Sequence, residues 1–220
     1  MKQKIALIIG STGLVGKQLT QQLLLDEKYQ TVHIFVRREI AADTYQDPKN
    51  KLQIHLVDFD DTAQWQSLLH GDELFCCIGT TLKQAGSKPA QRKVNLEIPT
   101  KIAQYANQNG VPKVALISSA GANHESASFY LRLKGQLEQN LQALNWKQIA
   151  IVRPSFLEGK RDNLRFGEQF AISLYSVLKY IPIIKRYRPI KAEQVAKRMQ
   201  ELLSREQAET LVIEELEQLF

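Results

Sequence analysis

The sequence predicts a three-layer α/β fold, a doubly wound parallel sheet covered by helices on both faces, with a small C-terminal extension. Three observations predict it. Short continuous apolar runs recur along the chain, longer amphipathic stretches separate them, and the alternation holds from the N-terminus to about Val152. Apolar runs this short, bounded by turn residues, read as strands buried on both faces. Strands that alternate with helices join by right-handed crossovers, which makes the sheet parallel.

The first strand is Ile5–Ile9. Met1-Lys2-Gln3-Lys4 precedes it, yet the apolar run stops at Gly10, short of the ~7–15 residues of a secretory leader, and no small-residue cleavage site follows. Leu14–Leu25 is the first helix. The strands Val32–Val36, Ile54–Val57, Leu74–Ile78, Val114–Ile117 and Ile149–Val152 follow, with helices over Trp65–Leu69, Val94–Asn109 and Phe129–Leu144. Val94, Ile98, Ile102 and Tyr105 stand at helical spacing, and Asn109-Gly110 before Pro112 ends that helix. Beyond Val152 the texture changes. Arg153–Gly167 is polar and loop-like, Phe170–Ile184 is rich in Phe, Tyr, Leu and Ile, Ala192–Leu203 is helical, and Leu211–Ile213 adds a short strand. The chain has no repeat, low-complexity tract or long linker. Its 220 residues therefore form one domain, with a core over 1–153 and a C-terminal segment over 154–220.

A composition of 44% apolar and 24% charged residues excludes a disordered or fibrous chain. The net charge of +6 suits an anionic small molecule as well as nucleic acid. Basic clusters without interleaved stacking aromatics argue only weakly for nucleic acid, and none is expected. No run reaches the roughly 18–20 apolar residues of a membrane span, so no transmembrane segment is expected. Cys76 and Cys77, adjacent in sequence, can form neither a disulfide framework nor a zinc site, which points to a reducing cytoplasm. On a strand they face opposite ways and read as buried thiols. His33, His55, His70 and His124 are scattered without ligand spacing, and no metal is expected.

Gly10-Ser11-Thr12-Gly13-Leu14-Val15-Gly16 sits at the first strand-to-helix junction. The first glycine permits the tight turn, the second a close backbone approach to a pyrophosphate, and the third close helix–strand packing; helix N-terminal amides then face the phosphates. The end of the second strand discriminates between cofactors. An NAD binder carries Asp or Glu about 20 residues on, to take the ribose 2′-hydroxyl. This chain has Arg37-Arg38 after Val36, and two guanidinium forks suit a 2′-phosphate, so NADP(H) is the expected cofactor. Asp58, ending the third strand, can accept from the adenine amino group or cap its own loop. Cys77-Ile78-Gly79-Thr80 ends the fourth strand, where Gly79 allows the cofactor close to the backbone.

Tyr130 and Lys134 stand four apart on a helix and share one face. A nearby ammonium favours the phenolate, so such a tyrosine can exchange a proton with a carbonyl or alcohol oxygen. Ser118-Ser119, before Ala120-Gly121, places hydroxyls at a strand's carboxyl end, where open α/β sheets bind ligands.

Taken in chain order, these residues resemble the short-chain dehydrogenase/reductase superfamily, extended or atypical type, with its glycine pattern Gly10/Gly13/Gly16 and its Tyr130/Lys134 pair. Arg37-Arg38, Cys77-Ile78-Gly79-Thr80, Ser118-Ser119 and Arg153-Pro154-Ser155 resemble in particular the Tat-interacting-protein branch of atypical reductases, over roughly residues 4–168. The resemblance implies a Rossmann sheet, NADPH, Tyr130 as acid/base, Lys134 on the nicotinamide ribose, and Ser119 or Ser118 polarising the substrate. It also implies contacts from Pro154 and Ser155 to nicotinamide or substrate, and it matches Asn95 to an asparagine that many members carry in the helix after strand four. The expected function is NADPH-dependent reduction of a small carbonyl compound; the alternative is an NADPH-sensing regulatory protein with little turnover. Residues 154–220 would lie on the substrate side. The apolar-basic segment Phe170–Arg188 reads as core or lid, with a homodimer surface or an interfacial anchor as alternatives. A regulatory protein partner stays open beside these.

Overall fold

The computed structural model describes residues 3–158, 189–204 and 210–216. Its elements in chain order are β1 (Lys4–Ile9), α1 (Leu14–Leu25), β2 (Tyr29–Val36), β3 (Leu52–Leu56), β4 (Glu73–Cys76), α2 (Leu82–Ala85), α3 (Lys88–Arg92), α4 (Ile98–Gln108), β5 (Lys113–Ile117), α5 (Phe129–Gln142), β6 (Gln148–Pro154), β7 (Phe156–Glu158), β8 (Pro189–Lys191), α6 (Ala192–Ser204) and β9 (Leu211–Leu216). Seven strands form one parallel sheet in the order β3-β2-β1-β4-β5-β6-β9. β7 and β8 pair separately, also in parallel. The strand order reverses between β1 and β4, and that reversal opens a crevice above their carboxyl ends.

The apolar runs are central strands because both of their faces are covered. Ala6, Ile8, Val32, Ile34, Phe75, Ala150 and Val152 pack with Val15, Leu19 and Leu23 of α1 and Val195, Met199 and Leu202 of α6. Leu7, Ile9, Leu74, Cys76, Leu116 and Ile151 pack with Ile102 and Ala106 of α4 and Leu133, Leu137 and Leu141 of α5. Alternating side chains of one strand thus feed two separate cores. The predicted last strand is real and longer, and as β9 it extends the main sheet beside β6.

Three expectations are corrected. Ile54–Val57 is not buried on both faces: β3 is the sheet's edge strand, and Ile54 and Leu56 are about half exposed. Apolarity alone does not tell an edge strand from a central one. Trp65–Leu69 is not a helix but part of two 3-10 turns, Thr62–Gln64 and Gln66–Leu68, with Trp65 between them. Trp65 is held by tertiary contacts. Its indole N–H donates to the Asp58 carbonyl at 3.1 Å, and its ring meets Tyr105 edge-on. Val94–Asn109 is not one α-helix, because Lys93–Glu97 is wound as a π-turn before α4. Pro99 explains the break: it has no N–H for the Asn95 carbonyl, and its ring crowds that oxygen in a regular α-helix. His33 and His55, distant in sequence, are joined by a ring-nitrogen hydrogen bond of 2.8 Å with the rings nearly parallel; burial lowers both pKa values. Among the described residues no three potential metal ligands cluster. The segment Phe170–Ile184 lies outside the described residues.

Candidate functional site

The glycine turn occupies the crevice where the strand order reverses. Gly10 has φ +81°, and a Cβ there would stand 2.6 Å from backbone atoms of Cys77 and Ile78 at the end of β4. A Cβ on Gly16 would meet the Gly10 carbonyl oxygen at 2.1 Å. Both positions therefore require glycine for close approach, one across the switch point and one between α1 and its own strand. Gly13 caps α1 without any side-chain hydrogen bond, so Leu14, Val15 and Gly16 begin a helix whose first amides point into the crevice. Ser11 is fully buried, and its hydroxyl finds no partner among the described residues. Thr12, beside it, is exposed. An uncapped helix start, a tight glycine turn and an orphaned hydroxyl together fit a dinucleotide pyrophosphate.

The side chains expected at the adenosine end stand at the same sheet edge. Arg37 and Arg38 follow β2 and are exposed, with no carboxylate paired to either among the described residues. Asp58 is exposed, and its Oδ1 accepts from the Asp60 amide at 2.9 Å, so it caps its loop. At the end of β4 the Asn95 side chain, fully buried, accepts from the Thr80 amide and donates to the Thr80 carbonyl, both at 2.8 Å. It fixes the Gly79-Thr80 backbone from below. The buried Asn95 is thus a brace, delivered by the π-turn.

The second half of the site lies between the ends of β5 and β6 and the start of α5. Tyr130 is half-buried and Lys134 is buried one turn on. The Lys134 ammonium donates to the Ile117 carbonyl at 2.7 Å, and burial lowers its pKa to about 8. Ser118 and Ser119 take different roles. Ser118 is buried and donates to the Glu138 carboxylate, whereas Ser119 is half-buried, with one long contact to the Ala120 carbonyl. Pro154 is buried at the end of β6, its carbonyl accepting from the Ala120 amide at 3.1 Å; Ser155 follows, half-buried. The thiols of Cys76 and Cys77 are free, and burial pushes both pKa values up, that of Cys76 to about 12.

Three contributors were missed from sequence. Tyr45 is buried and donates to the Ser11 carbonyl at 2.9 Å, bracing the glycine turn from a loop that carries no motif. Gly135 lets α5 rest on the loop after β5: a Cβ there would stand 2.2 Å from the His124 amide nitrogen. Its position directly after Lys134 is the only signal that could have marked it. Glu138 is buried and held by Arg153, at 2.6 Å for its shorter contact.

A parallel sheet with a glycine turn at its switch point and an uncapped helix above it defines a nicotinamide-dinucleotide-binding α/β domain. The chain belongs to the NAD(P)H-binding family, whose model matches residues 10–167, and within it to the atypical short-chain dehydrogenase/reductase branch. It is 34% identical over 198 residues to the protein FMP52, mitochondrial, of Debaryomyces hansenii, covering 87% of this chain and 84% of that one. It is 29% identical over 179 residues to the protein HTATIP2 of Rattus norvegicus, covering 81% and 73%. Among solved structures, the UDP-N-acetylglucosamine 4-epimerase of Methanobrevibacter ruminantium M1 superposes with a TM-score of 0.72 at 16% identity, over 94% of this chain and 75% of that one. The Bordetella bronchiseptica enzyme WbmH, in complex with NAD+, gives 0.69 at 14% identity, over 91% and 72%. These two likenesses concern the fold. The relatives' names also correct the expected cytoplasmic location, since the FMP52 proteins are named mitochondrial. Two free thiols do not single out one compartment.

Proposed function

We propose that the protein is an NADPH-dependent reductase of the short-chain type that acts on a small carbonyl compound. One observation carries the reading: Tyr130, Lys134 and Ser119 stand at the carboxyl edge of the same sheet whose switch point holds the glycine turn. When bound, the reduced nicotinamide supplies the hydride. Tyr130 donates its phenolic proton to the substrate oxygen, and the Lys134 ammonium eases that transfer by favouring the phenolate. Ser119 orients the carbonyl, because Ser118 is already committed to Glu138. Arg37 and Arg38, exposed and unpaired with any carboxylate among the described residues, grip the 2′-phosphate and select NADPH over NADH. Gly79 and Thr80, fixed by Asn95, let the cofactor close to the backbone, and Pro154 and Ser155 flank the nicotinamide end.

Fluorescence titration with NADPH and NADH tests the cofactor assignment. Tighter binding of NADPH is expected, and a preference for NADH overturns the role of the arginines. Tyr130→Phe tests the chemistry: carbonyl reduction disappears while NADPH affinity stays, and unchanged turnover removes Tyr130 from the reaction. The names of the FMP52 and HTATIP2 relatives state no reaction, which favours NADPH sensing with little turnover as the second reading. Binding of NADPH without consumption of it across a panel of aldehydes and ketones selects that reading.

A further inference from the structure

We infer that Glu138 is a positioning residue of this site: its buried carboxylate, clamped by Arg153, supplies the negative charge that keeps the Lys134 ammonium protonated and withdraws Ser118 from the substrate. The inference rests on the reductase reading for its catalytic consequence, though its geometry stands without it. Tyr130, Lys134 and Glu138 succeed one another four residues apart, so one face of α5 carries all three. Glu138 is 3% exposed and fully partnered. Ser118 donates to its Oε1, the Arg153 Nε donates to the same oxygen at 3.0 Å, and the Arg153 Nη2 donates to Oε2 at 2.6 Å. Arg153 also reaches Glu215 of β9 at 3.2 Å, which ties the clamp to the last strand of the sheet.

A buried ammonium tends to shed its proton, because burial disfavours the charged form. The groups that face Lys134 and oppose this are Cys76 and Cys77 from the end of β4 and Glu138 from α5, with Arg153 of β6 and Glu215 of β9 behind Glu138. Both thiols are pushed well above neutrality and carry no charge at pH 8. The carboxylate of Glu138 is therefore the negative charge available to Lys134 in the pH range where Lys134 titrates. Arg153, charged at every accessible pH, pairs with both oxygens of that buried carboxylate. The same clamp selects between the two serines: Ser118 is held by Glu138, and Ser119 remains for the substrate oxygen.

The test is the titration of Lys134 in the cofactor-free protein, followed by the NMR shifts of its side-chain carbon and nitrogen and assigned by their loss in Lys134→Arg. A midpoint near 8 is expected for the natural chain. Glu138→Gln lowers it by a pH unit or more; a midpoint that stays put overturns the inference, since a merely structural loss would not move it downward. Should Glu138→Gln fail to fold, Arg153→Gln carries the test. Removing positive charge beside the same carboxylate raises the midpoint, and an unchanged value again overturns it. NADPH fluorescence titration of the same samples separates the two readings. Absent binding by the natural chain, with the Glu138→Gln shift intact, strikes the reductase reading alone.

Discussion

Around the glycine turn the chain meets itself backbone against backbone, whereas beneath α5 it meets itself through buried charged side chains. In the first region the side chains that Gly10 and Gly16 lack let β1, α1 and the end of β4 approach backbone to backbone, and the neighbouring arginines stay exposed. In the second, Lys134, Glu138, Ser118 and Arg153 are committed to one another or to the backbone. Volume is thus the vulnerability of one half and charge that of the other. A cleft of this kind can lose cofactor binding by a single methyl group on one side, while on the other it loses proton control without any change of shape.

The largest expected effect tests the steric half. Gly16→Ala forces a methyl against the Gly10 carbonyl, and a loss of about 3 kcal/mol or more, read by chemical denaturation, is expected. Unchanged stability would show that α1 can move off its strand, and the comparison would fail. The next effect is electrostatic. Lys134 titrates near 10.5 when unfolded and near 8 when folded, so between these values the unfolded chain holds a proton that the folded chain has released. Stability therefore gains a rising component over that window, and a pH series of denaturation midpoints should show Lys134→Met lacking it relative to the natural chain. Asn95→Ala strands the Thr80 amide in a half-buried loop and leaves its carbonyl only the long bond from Gln91, 3.4 Å, at about 2 kcal/mol by thermal unfolding. Arg37→Ala is expected to weaken NADPH about tenfold, near 1.5 kcal/mol, and to leave NADH unchanged in parallel titrations. The smallest effect belongs to Tyr45→Phe, which removes one hydrogen bond to the Ser11 carbonyl, about 1 kcal/mol. It sharpens the comparison, because a larger loss would mean that the glycine turn depends on side chains after all.

Much of this architecture was legible residue by residue. α1 runs over the predicted Leu14–Leu25, and β1, β2, β4, β5 and β6 overlap the predicted apolar runs, since strands buried on both faces carry uninterrupted apolar sequence. β3 was misread for the same reason: Ile54 and Leu56 are apolar yet lie at an edge, and edge position is a matter of topology. Trp65 resembled the start of a helix because its apolar neighbours have helical spacing, while its actual hold comes from Phe59, the Asp58 carbonyl and the distant Tyr105. The glycine turn, the arginine pair and the Tyr130/Lys134 spacing were visible because local chemistry dictates them. Asn95, Gly135, Tyr45 and Glu138 act on partners 15, 11, 34 and 20 residues away in the chain, and no local pattern reports those partners.

By itself, the order of apolar runs, glycines and amphipathic stretches determined the parallel sheet and the turn at its switch point, because strand period, helix period and glycine's freedom from steric overlap act over a few neighbouring residues. Only the tertiary structure decided which serine is occupied, what braces the turn, which strand is the edge and how a lysine keeps its charge out of water. Those outcomes depend on burial and on pairing between groups that the sequence separates by whole elements, and a folded low-dielectric interior is what gives such pairings their strength.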